Sequence, residues 1–297
     1  MNSSEIVVVG SYCFDVGLQV KHFPAPGETI LAGGQLASHG GKGSNQAINA
    51  RRAGSKVAFI GAVGDDAAGG SALDMWRREA IDTSFTVVQP GTSTGMAFIL
   101  IEVSGENQIV VSPGANSSLS PQDLTAARSC IAGASMVLAQ LEVPTATVAE
   151  AFRLGREAGA VTVLNAAPAL VEIPDAVWAN TDFLIVNETE ARQLTGKTTE
   201  DDQALCAQLA SRVRLGAVIT LGALGAIGKV AGGELIKVPA PSIELVDSTG
   251  AGDAFVGAFC TGWLRTRDLF ASMQLGTAAG SLACTTRGAV SPLADDS

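Results

Sequence analysis

The sequence predicts an α/β fold: a doubly wound, mostly parallel sheet with helices on both faces, plus a small separate β-sheet. Six short apolar runs show no polar alternation, as expected of strands buried on both faces. Helical patterns with readable ends lie between them. Two stretches, about 12–38 and 94–112, break this rhythm with alternating or turn-rich pieces that have no place in a parallel sheet.

In chain order, Ile6–Gly10 (IVVVG) is the first buried strand. The segment 12–38 is rich in Pro, Gly and short alternating pieces and reads as the first part of a lid. His39–Gly54 (HGGKGSNQAINARRAG) is a Gly-rich turn leading into a helix, and Val57–Gly61 (VAFIG) is the next strand. Residues 94–112 read as a β-hairpin turning at SGEN, the second lid segment. SPQDLTAARSCI predicts a helix with Ser120 as N-cap, Pro121 at the first helical position and Asp123 in the first turn. Met136–Leu141, Val161–Asn165, Phe183–Asn187 and Ala217–Gly222 complete the strands. The helices PTATVAEAFRLGREAG and TTEDDQALCAQLASRVRLG between them are both expected to end at Gly. No long linker or repeat interrupts the chain, so residues 1–297 are expected to form one domain.

Hydrophobic residues make up 47% of the chain and charged residues 16%, which favours a packed interior over disorder. The net charge of −10 disfavours nucleic acid as a partner, because phosphate backbones need a basic face. Five scattered Cys without a CxxC pair indicate neither a disulfide framework nor a zinc site, and a reducing cytoplasm is expected. The N-terminus MNSSEIVVVG lacks a basic segment before its apolar one, and no apolar run reaches the roughly 20 residues of a membrane span.

The chemistry concentrates in DSTGAGDAFVGAF, Asp247–Phe259. Gly250, Ala251 and Gly252 carry little or no side chain, so their amides can approach an anion at a positive helix end. Asp253 follows directly. A carboxylate beside an anion site makes sense when the anion is a phosphoryl group in transfer and the carboxylate takes a proton from the attacking hydroxyl. Taken alone, a Gly-rich turn with a helix-N-terminal acid is an equally good reading. The second Gly-rich turn has neither Walker spacing nor a dinucleotide fingerprint. Gly40 and Gly41 would expose amides there, and Lys42 and Asn45 offer donors suited to a polyhydroxy ligand, with a surface lysine and a helix cap as the plainer readings.

Gly40–Ala47 with Gly54 and Gly64, together with Asp247–Phe259, resemble the two signatures of the ribokinase family of carbohydrate kinases. The resemblance continues through APGET, GDD, STG, PGAN, QLEVP, NETEA and TLGALG and covers nearly the whole chain. It implies ATP-dependent phosphoryl transfer to the primary hydroxyl of a small sugar, with D-ribose expected. Another sugar, a nucleoside or a catalytically inactive binding relative is the alternative. Asp253 would be the base, and the amides of Gly250 to Asp253 the anion hole. Asp15, Gly41, Lys42, Asn45 and Glu142 would bind sugar. Thr220, Gly222, Gly225, Thr277 and Ala278 would bind nucleotide. Asn187 and Glu190 would organise Mg²⁺ near the ATP phosphates, partly through water, and they also read as a capping box. Asp247, Thr249, Cys284 and Gly288 would surround a monovalent cation, expected to be K⁺. A homodimer through the lid sheet is expected.

Two departures stand out. Cys13 occupies the position where the family pattern GSxNxD has Asn. A thiol is a weaker donor and acceptor than an amide, so sugar selectivity is expected to relax or shift unless Cys13 is inert packing. The last helix of many relatives is also expected to be short or missing in the segment Arg287–Ser297.

Overall fold

The computed structural model of the chain describes residues 4–170, 172–198 and 201–290. In chain order, β1 (Ile6–Val9) leads into β2 (Cys13–Val20) and β3 (Gly34–Gly40), and then α1 (Lys42–Arg52). β4 (Val57–Ile60), β5 (Ala62–Gly64), α2 (Ala67–Arg78) and β6 (Val87–Gln89) precede the hairpin β7 (Met96–Glu102) and β8 (Asn107–Ser112). Next come α3 (Leu124–Gly133), β9 (Met136–Ala139), α4 (Thr145–Glu157), β10 (Val161–Asn165) and α5 (Asp175–Trp178). The chain continues through β11 (Phe183–Asn187), α6 (Glu188–Thr195), α7 (Asp202–Ala210) and β12 (Gly216–Thr220). It then forms β13 (Ala226–Val230), β14 (Leu235–Val238), α8 (Ala251–Thr266) and α9 (Leu269–Ala283).

Eight strands form the central sheet in the order β14-β13-β12-β11-β10-β9-β1-β4. All pairs from β4 to β12 are parallel, and β13 and β14 add an antiparallel edge. Alternation along β1 divides the core: Val7 and Val9 face one apolar cluster with Phe152 and Leu205, Ile6 and Val8 the other with Trp76 and Phe259. Burial on both faces is why these strands carry continuous apolar runs. Strand order reverses between β1 and β9, whose neighbours run to opposite sides, and a crevice at such a reversal is the usual ligand site of open α/β sheets.

The two segments expected to form a lid pair with each other in a separate four-stranded sheet, β3-β2-β7-β8. Two expectations need correction. The third helix starts at Leu124, not Pro121: Asp123 accepts hydrogen bonds from the Ser120 amide and hydroxyl at 2.8 and 2.7 Å, which closes a turn ahead of it. The helix after α6 ends at Ala210, and Gly216 opens β12 instead of capping it. The start of that helix pattern includes residues 199 and 200, and the segment ending at Ser297 includes 291–297; these lie outside the described residues.

Candidate active site

Most candidate residues sit at or just beyond the carboxyl ends of β9, β11 and β12 or in the first turns of α1, α6 and α8; Asp15 comes from the lid strand β2, and Thr277 and Ala278 from the second half of α9. Gly41 is the N-cap of α1 at φ 86°, in the left-handed region that glycine enters without penalty. A Cβ there would lie 2.6 Å from the Tyr12 Cα, so the turn packs directly on the backbone leaving β1. This close seat aims the first turns of α1 at α8. The two helices meet at Gly257, where a Cβ would lie 2.6 Å from the Gln46 carbonyl oxygen.

Asp253, in the first turn of α8, is buried. Asn45 Nδ2 donates to its Oδ2 at 2.9 Å, and Gln46 Nε2 donates to its Oδ1 at 2.8 Å. Burial raises its pKa, opposed by Lys42 and by these two amides, while Glu142 adds to the rise. Burial pulls the Lys42 pKa down, but Asp253, Glu142 and Glu190 outweigh it and the ammonium is held charged. One cation thus faces three carboxylates from three elements.

Glu142 lies three residues beyond β9, and its Oε2 accepts from the Ser11 hydroxyl and from the Lys42 amide at 3.0 Å. It bridges the β1–β9 reversal. Asp15 projects from β2 of the lid sheet, and burial and then Glu142 raise its pKa to about 7. Cys13 is buried two residues earlier, its Sγ 3.8 Å from Asn116 Nδ2, and burial, Glu142 and Asp15 push its thiol up to about 12. The amides of Asn116 and Tyr12 also bond reciprocally, at 2.9 and 2.7 Å, fixing this stretch of strand.

Gly250 is the left-handed N-cap of α8 at φ 77°. The first amides of a helix have no intrahelical acceptor. Here the Ala251 amide donates to the Ser248 carbonyl at 3.2 Å, which leaves Gly252 and Asp253 as the foremost donors. Beyond them lies a cavity of about 520 Å³ lined by Thr220, Gly222, Gly225, Ala251, Gly252, Phe255, Thr277 and Cys284, among others. Gly252 lines this cavity, and Asp253, the next residue, does not. Ala278 was expected in the nucleotide site; it is exposed on the helix and outside the lining, because the following turn of α9 presents Gly280, Ser281 and Cys284 inward instead.

Asn187 and Glu190 form the capping box: Glu190 N donates to Asn187 Oδ1 at 2.8 Å and Asn187 N to Glu190 Oε2 at 2.9 Å. Asp247 gathers its loop. Its Oδ1 accepts from the Thr249 amide and hydroxyl at 2.9 and 2.7 Å, and its Oδ2 accepts from Gly288 N at 2.9 Å. Its own amide donates to the Cys284 carbonyl at 3.2 Å, so the four residues expected at a monovalent cation do come together. Sequence reasoning missed Gln46, Gln140, Asn165 and Ser11, as well as Phe255, Ile243 and Leu245 in the cavity wall.

The model of the pfkB carbohydrate kinase family matches residues 3–296. A ribokinase of Haemophilus influenzae is 35% identical over 97% of this chain and 94% of its own length. A deoxyribokinase of Salmonella typhi is 33% identical over 96% of this chain and 94% of its own. The structure of Arabidopsis thaliana ribokinase complexed with ribose and ATP superposes with a TM-score of 0.89 at 27% identity, covering 96% of this chain and 94% of that one.

Proposed function

From the premise that this chain belongs to the pfkB family of carbohydrate kinases, we propose that it transfers the γ-phosphate of ATP to the primary hydroxyl of D-ribose, giving D-ribose 5-phosphate. The observation that carries the reading is the placement of Asp253: a buried carboxylate beside foremost helix amides, with a cavity of nucleotide size lined by the neighbouring Gly252. Asp253 would accept the hydroxyl proton, and the amides of Gly252 and Asp253 would take up charge on the transferring group. Lys42, Asn45, Asp15 and Glu142 would hold the sugar against that base, and Gly41 gives their turn its shape.

Glu190 and Asn187 offer a hard carboxylate and amide oxygen suited to a Mg²⁺ ion that keeps several waters. Such an ion would supply neutralising charge at the phosphates. The Asp247 carboxylate and the carbonyls of Thr249 and Cys284 are an all-oxygen set fit for K⁺. An ADP-release assay across sugars and nucleosides, with and without K⁺, tests the reading; no turnover with any sugar would overturn it. One observation favours 2-deoxyribose as a second substrate. Cys13, a poor hydrogen-bond partner, stands in the strand that carries Asp15, and a deoxyribokinase is among the relatives.

The pH response of Asp15 is a direct check. Its folded pKa of about 7 is raised above the usual 3.8, so its contribution to stability is present at low pH and lost as pH rises through about 7. The ionised form is the better acceptor for sugar hydroxyls. The sugar KM is therefore expected to fall as pH rises through about 7, and Asp15→Asn to flatten that dependence, as read by steady-state kinetics.

The lid sheet exposes Leu36, Ile109 and Val111 on one face to between 53% and 57%, and Phe98 and Val110 on the other to 44% and 68%. Isolated apolar sheet faces of this kind favour a covering partner, and a second copy of the chain packing lid to lid is the proposed one. Light scattering after size exclusion should give twice the mass of one chain, and Ile109→Lys should shift it toward the monomer.

A further inference from the structure

Gln46 has no place in the sugar or nucleotide roles above, yet it is fully buried and its amide is completely used. Nε2 donates to Asp253 Oδ1 at 2.8 Å and to Asn165 Oδ1 at 2.9 Å, while Oε1 accepts from Gln140 Nε2 at 2.6 Å. An amide can in principle be turned end for end, but this one cannot. Asn165 Nδ2 donates to the Ile185 carbonyl at 3.0 Å, and a backbone carbonyl only accepts. That fixes the Asn165 oxygen toward Gln46, which fixes the Gln46 NH₂ toward both Asn165 and Asp253. Reversal would set the Gln46 oxygen against a carboxylate and a carbonyl oxygen at once. The order runs one way from the β11 backbone to Oδ1 of Asp253.

We propose that Gln46 is a positioning residue for phosphoryl transfer: anchored through Asn165 on the Ile185 carbonyl, it holds Oδ1 of Asp253 and turns Oδ2, which among the described residues only Asn45 addresses, toward the acceptor hydroxyl. The proposal rests on the reading of Asp253 as the base. The charged groups around Asp253 are Lys42 on α1, Glu142 after β9 and Glu190 on α6. Gln46 lies one turn after Lys42 on α1 and adds a neutral donor that favours the ionised carboxylate.

The test compares Gln46→Met, which keeps the volume and removes the amide, with Asn165→Leu, which never touches Asp253. Thermal melting of each establishes the folded fraction. Loss of one hydrogen bond to a charged group predicts a kcat lower by roughly ten- to a hundredfold for Gln46→Met, with sugar KM changed less than threefold by the same rule. The acid limb of the kcat–pH profile should move to higher pH. Asn165→Leu should move the limb the same way by a smaller amount. A loss carried by KM with kcat intact, or a kcat reduction equal at every pH, overturns the proposal. So does an unshifted profile in Asn165→Leu if Gln46→Met does not fold. Asp253→Asn, run alongside, separates the two readings. A near-normal rate there removes the base itself, whereas an inactive Asp253→Asn beside a normal Gln46→Met removes only the positioning role.

Discussion

Asp253→Asn is expected to lower kcat by about 10²–10⁴-fold, the usual loss when a general base is removed, while sugar and nucleotide affinities measured by calorimetry stay near those of the parent. The substitution preserves shape but not chemistry. An amide cannot take a proton from the acceptor hydroxyl. It also brings an NH₂ group into a position where Asn45 Nδ2 and Gln46 Nε2 both already donate. The fixed orientation of Gln46 draws the oxygen of the new amide to its side, and the NH₂ group then faces Asn45, whose Oδ1, without a partner among the described residues, can turn to accept it. Retention of a near-normal rate would end the assignment of Asp253 as the base.

Gly250→Ala is expected to be nearly as damaging, for a reason of backbone geometry. The residue caps α8 at φ 77°, where a side chain is strained by about 1–3 kcal/mol. The added Cβ would stand 2.4 Å from the Ala289 carbonyl oxygen, so the turn must move. Movement of the turn redirects the foremost amides of α8. Loss of one such donor to a developing oxyanion costs about 10²–10³-fold in kcat. Gly252→Ala is the control for stability: its methyl would meet open space within an established helix, so the melting temperature should not fall. Equal melting temperatures and equal kcat in Gly250→Ala and the parent would show that the turn is not held by its left-handed cap.

The parallel strands were legible because both faces are buried and the apolar runs are therefore continuous. The lid was legible from alternation. β13 and β14 were not, since AIGKV and LIKV are short and partly exposed, although the AGG between them marked a tight turn. The true start of α3 was hidden because Ser120 and Asp123 satisfy a turn and a helix cap with the same groups. The two Gly-rich turns were readable from their spacing. The buried amides were not: Gln46 lies 94 residues from Gln140 and 119 from Asn165 along the chain, and only their positions at strand ends or beside Asn45 hinted at them.

The crossing of α1 and α8 at Gly257 has a further consequence for how such an enzyme can diversify. New acceptors can be accommodated by exchanging residues of the lid strands, among them Cys13 and Asp15 of β2. The helical crossing offers no such latitude, because one added methyl group would drive apart the proton acceptor and the amides that hold it. A laboratory library aimed at new sugars should therefore randomise β2 and β3 and leave that contact untouched.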